Sequence, residues 1–124
     1  MRWILSVLIL CATCFSATSV AAADPFDGPP VETVRLVHDF GRCDTDLLVF
    51  SSDVPVQLDL TVRNQFDPEA RMRIPLFLWS HDLPMTIDPV THSVKFMARA
   101  GEYTFDIVTG PDDHALCEGM LIAL

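Results

Sequence analysis

Basic residues are scarce in this chain. It has eight lysines and arginines against seventeen aspartates and glutamates. Nucleic acids and anionic membrane surfaces are held by basic patches, so both are excluded as partners. Long apolar runs are absent after the first two dozen residues, which excludes a membrane span in the rest of the chain. No segment of any length carries helical periodicity. There is no internal repeat, no low-complexity tract and no glycine-rich phosphate loop, and no serine sits in a nucleophile elbow. Asp112, Asp113 and His114 are merely adjacent, and Asp82 and Asp88 flank Met85 without the pattern of a catalytic carboxylate pair. Enzymatic activity is therefore not expected.

The N-terminus has the layout of an export signal. Arg2 is the positive start, Trp3 to Phe15 is mostly apolar, and Ala21-Ala22-Ala23 is a small-residue cleavage site. Leu10 and Thr13 precede Cys11 and Cys14, which argues against a lipoprotein signal. Residues 1–23 are expected to be removed, leaving a periplasmic or secreted protein. Without Arg2 the mature chain has seven basic residues against seventeen acidic ones, a net charge of −10. That charge suits solubility, a cation, or a basic or membrane-associated exported protein as partner. Of the four cysteines, Cys43 and Cys117 remain, and an even pair in an oxidising compartment reads as a disulfide.

Residues 24–30 hold three prolines and a glycine and read as a flexible leader. Residues 31–124 make one domain. Val54, Val56, Leu58, Leu60 and Val62 alternate with polar partners, the signature of a half-buried antiparallel strand. Further short strands are predicted at Val31 to Phe40, Leu47 to Phe50, Met72 to Trp79, Ser93 to Ala98, Tyr103 to Val108 and Met120 to Leu124. Pro75 puts the fourth on an edge or a bulge. Asp39-Phe40-Gly41-Arg42 turns the chain into Cys43, and Ser80 to Thr91 reads as a loop. A loop carrying His114, Cys117 and Met120 separates the last two strands. About seven strands at roughly ten-residue intervals predict an all-β, antiparallel Greek-key sandwich.

The run Pro55 to Asn64, the Met-Arg-Ile-Pro strand, Gly101-x-Tyr103-x-Phe105 and the Cys-Glu-Gly-Met stretch before the last strand resemble the cupredoxins, across Leu47 to Leu124. The resemblance implies a copper sandwich of the plastocyanin and azurin type. Its blue-copper site would place a histidine near Arg71 or Met72, a cysteine at Ile107, a second histidine at His114 and a methionine at Met120. Two of these four match by type, so the ligand set is incomplete. The reading that follows is a copper-handling protein with a non-blue site of His114 and Met120, helped by Met72, His81 or Met85, donors suited to Cu(I). Cys117 joins that site only if it is not disulfide-bonded. The alternative is a metal-free sandwich stapled by Cys43 and Cys117 that acts as an interaction module. A further alternative is one-electron transfer with Cys117 as thiolate ligand.

Overall fold

The structure, a computed structural model, describes residues 23–25 and 28–124. The expected signal segment lies outside them apart from Ala23. Among the described residues no helix is long and apolar enough to cross a membrane.

Among the described residues, ten strands form two five-stranded sheets. They are β1 (Ala23–Pro25), β2 (Glu32–Asp39), β3 (Arg42–Cys43), β4 (Leu47–Phe50), β5 (Val56–Arg63), β6 (Arg71–Ile74), β7 (Trp79–Asp82), β8 (Val90–Ala98), β9 (Gly101–Thr109) and β10 (His114–Ala123). One sheet has the order β1-β8-β5-β2-β3, the other β4-β10-β9-β6-β7. The predicted β-sandwich is what the chain forms, but with more strands than seven and with mixed sheets. β2 pairs with β5 and β4 with β10 in parallel, where only antiparallel pairs were expected. The chain leaves the first sheet after β3, runs through β4 in the second sheet, and returns to lay β5 beside β2. A crossover of that kind is what a parallel pair requires.

The alternation in β5 is realised directly: Val56, Leu58, Leu60 and Val62 are all buried. They meet Leu36, Met72, Ile74, Phe105, Ile107 and Leu121 in one core between the sheets. The fourth predicted strand is broken. Pro75 opens a 3-10 turn (Pro75–Phe77) and Leu78 takes a left-handed φ of 54°, so β6 stops at Ile74 and β7 begins at Trp79. Pro75 has no N–H to continue the ladder, which is why the break falls there. Most of the predicted Ser80–Thr91 loop is correspondingly shorter, since β7 and β8 occupy its ends. At the other end of the chain, Asp24 and Pro25, assigned to the leader, pair with Met97 and Phe96.

At Gly119 the missing side chain is required by packing. A Cβ there would lie 2.6 Å from Phe105 Cζ and would overlap the backbone carbonyl of Asp46, which accepts the Met120 N–H at 2.8 Å. Neither the ring nor the backbone can retreat without disturbing β4. Gly119→Ala is expected to lose about 1–3 kcal/mol, the usual penalty of overpacking. A urea midpoint equal to wild type would refute it.

Candidate metal centre

The β2–β3 hairpin turns on Phe40 and Gly41, with φ of 51° and 72°. Positive φ at both central residues is the requirement of a type I′ turn, and such a two-residue turn sets the register beyond it. It brings His38 directly opposite Cys43. Asp39 braces the turn, accepting from Arg63 Nε at 2.8 Å and from Asn64 Nδ2 at 3.0 Å. The Asn64 hydrogen bond, then Arg63, hold the Asp39 carboxyl below its usual range.

His38 is wholly buried, and neither ring nitrogen has a hydrogen-bond partner. Cys117, on β10 in the other sheet, is disulfide-bonded to Cys43, with the Cα atoms 5.9 Å apart. The bond therefore staples the two sheets at one edge of the sandwich. One ring nitrogen of His38 and both sulfurs lie within 4.8 Å of one another. Burial lowers the His38 pKa, against the opposing pull of Asp39. The folded protein therefore binds this proton less well than the unfolded chain. Its stabilising effect is complete above the ordinary value of 6.5 and erodes as the pH falls below it. The oxidised, metal-free protein is expected to unfold at lower urea at pH 5 than at pH 7, and His38→Gln to shrink that difference. An unchanged difference in the variant would contradict this.

The other predicted ligands are not brought together. The segment carrying His114, Cys117 and Met120 is not a loop but β10 itself, because the turn before it is the short stretch 110–113. Gly110 and Asp113 adopt positive φ there, and Asp113 receives both Arg71 and Arg73. Those two arginines thus face the turn; Arg73 also grips Asp106 at 2.9 and 2.8 Å. His114 pairs with Thr109 and Met120 with Thr104. Their partners are five steps apart on β9, about 17 Å, and that odd number puts the two on opposite faces, the bulge in β10 taking up the sixth step. A bulge between Ala115 and Cys117 turns Cys117 inward opposite Ile107. Met120 faces outward into a shallow groove with Asp46, Asp106 and Glu118. Met72 is buried in the core, opposite Ile107 and His81, and Met85 is exposed. His114 and Met120 therefore do not form one chelate.

A blue-copper set does not fit either. Ile107, wholly buried, stands where the thiolate is needed. Arg71, engaged with Gly110 and Asp113, and the buried Met72 stand where the first histidine is needed. What does fit a soft ion is the pair of sulfurs beside the unpartnered His38, once the sulfurs are reduced. Sequence reasoning passed over His38. The signal was present: His38-Asp39-Phe40-Gly41-Arg42-Cys43 is a hairpin whose flanking residues must face each other if the turn has two residues.

No protein-family model matches the sequence, and no curated protein matches it. Solved structures do match the fold. A copper-binding protein in its apo form is similar with a TM-score of 0.57 and 20% identity, covering 82% of this chain and 94% of that one. Auracyanin A, a blue copper protein of Chloroflexus aurantiacus, matches with a TM-score of 0.51 and 14% identity, covering 74% and 98%. Amicyanin of Paracoccus versutus matches with 0.51 and 12%, covering 84% and 99%. The chain has a cupredoxin-like fold.

Proposed function

We propose that this is an exported copper-handling protein that holds Cu(I) on His38, Cys43 and Cys117 when the cysteines are reduced. The carrying observation is the buried His38 with both ring nitrogens unpartnered, within 4.8 Å of two sulfurs. A buried polar group without a partner costs about 1–3 kcal/mol, and a metal ligand bond removes that cost. Two thiolates and an imidazole nitrogen are the donor types that select Cu(I). The export signal and the disulfide support a periplasmic or secreted location.

In the oxidised form Cys43 and Cys117 hold each other and the donor set is closed. Two electrons and two protons from a dithiol protein of the compartment convert the bond into two thiols, and the donor becomes a disulfide. Cys43 and Cys117 then lose their protons as they engage the metal. His38 offers a neutral nitrogen that its burial keeps unprotonated. The protein acts by binding, without catalysis.

Anaerobic titration of the reduced protein with Cu(I) against a chromophoric chelator tests this. One equivalent bound at this centre, lost on thiol alkylation and weakened at least a hundredfold by His38→Gln, is expected. Equal binding before and after alkylation of Cys43 and Cys117 would overturn it. An intense visible charge-transfer band in the oxidised copper form would instead favour the electron-transfer reading.

A second reading is the metal-free interaction module. The closed disulfide favours it, as does an apolar tip where Phe40 and Phe66 are exposed with ring centroids 6.0 Å apart. Ile87, also exposed, accepts the Asn64 N–H beside them. A basic exported protein is the partner that the net charge suits.

A further inference from the structure

The opposite edge of the sandwich holds a pair of imidazoles, each with an unpartnered Nε2. His81 lies on β7, the edge strand of one sheet, and His92 on β8 of the other. His81 stands opposite Met72 and His92 opposite Leu60. Both of those partners are buried in the core, so both histidines point inward, between the sheets. Their ring centroids are 4.4 Å apart and the planes are inclined by 54°. The Nε2 atoms of both rings are buried, and neither has a hydrogen-bond partner. They do not bond each other, although the rings are close enough to touch.

Trp79 fixes the arrangement. Its indole stacks on the His81 ring at 5.9 Å and within 6° of parallel. Trp79 and His81 are two apart on β7, which puts them on the same face. Burial, and then His92, lower the His81 pKa, with Asp82 opposing. Neutral imidazole is the form that binds metal. Asp82, the neighbouring carboxylate on β7, alternates to the outer face and is exposed. The inward set thus has two nitrogen donors and no inward anion among these residues. A divalent ion of tetrahedral habit asks for four ligands, whereas Cu(I) accepts fewer, imidazole nitrogen among them.

We propose that His81 and His92 form a second Cu(I) site, bridging the two sheets through their Nε2 atoms. It goes beyond the reduced-cysteine centre, because it shares no ligand with it and β5 separates the two within the sheet. Imidazoles need no reduction to become ligands. The second site is therefore open while the disulfide is closed, and the oxidised protein can carry Cu(I) that the first centre cannot hold.

The test uses the oxidised mature protein, shown by alkylation to have no free thiol. Cu(I) is added anaerobically against a chromophoric chelator. One ion per chain is expected, with His81→Gln and His92→Gln each weakening binding at least a hundredfold. His114→Gln, at an exposed position at the start of β10, is expected to bind as wild type does. Imidazole nitrogen NMR of the unaltered protein guards against a variant that misfolds. Cu(I) should shift the Nε2 resonances of His81 and His92 together and leave His114 in place. No Cu(I) binding by the oxidised protein, or shifts confined to other histidines, would overturn the proposal. Either result would leave the cysteine centre untouched, since its two sulfurs are closed in this experiment.

Discussion

Removing the cross-link, by Cys43→Ala with Cys117→Ala, is expected to cost about 4 kcal/mol of unfolding free energy. The two cysteines are 74 residues apart in sequence. Closing a loop of that length removes conformational freedom from the unfolded chain, worth about 4 kcal/mol on the chain-entropy account. A domain of this size has about 5–15 kcal/mol in all, so the loss is a large share. The melting temperature should fall by roughly 20 °C. The effect should be localised as well as global. β3 has only two residues and stands at the edge of its sheet, and the bond to β10 is the covalent tie across to the other sheet. Amide exchange should accelerate first at Asp44, whose N–H donates to the Val37 carbonyl at 3.0 Å, and at Val37, whose N–H donates to Asp44 Oδ1 at 2.9 Å. A change below about 1 kcal/mol by urea unfolding would mean that the unfolded chain is already compact around this loop.

Truncating Phe105 is expected to cost as much by a different route. Phe105→Ala removes a ring that is 1% exposed and lies over Gly119 of the facing strand. Large-to-small changes of this kind lose about 3–5 kcal/mol, because the transfer term and the cavity add. The pair also gives a coupling test. In a Phe105→Ala background the Gly119→Ala methyl no longer meets the ring, and only the Asp46 carbonyl opposes it. The second substitution should then cost less than it does alone, by about 0.5–3 kcal/mol. Strict additivity by urea unfolding would show that Phe105 and Gly119 do not share this space.

The β-sandwich was legible because its clearest segment is decided locally. Val56 to Val62 alternates without exception, and a period of two can bury only one face. Pro75 was legible as a residue for an edge or a bulge, but not as the end of the strand, because that depended on the 3-10 turn that follows it. The pairing of Cys43 with Cys117 followed from their number and the compartment expected for the chain. The candidate centre was only half legible. Its two sulfurs were named, but His38 was not, because its value lies in being buried without a partner. That property belongs to the surroundings supplied by Val62, Cys43 and Cys117 rather than to the His38 neighbourhood in sequence. His114 and Met120 stood out for the opposite reason. Closeness in sequence suggested closeness in space, yet an extended strand separates six residues further than a loop would.

The strand alternation, the acidic balance, the scarcity of helical periodicity and the cysteines at 43 and 117 were determined by the sequence alone. Each depends on residue type and local spacing, which no folding step can change. The tertiary structure alone decided the mixed sheets, the conversion of the last loop into β10, and the two inter-sheet clusters at His38 and at His81 with His92. Those depend on which strand crosses to which sheet. The free energy that selects the crossing is the burial of one shared core, a sum over distant residues that no short stretch contains.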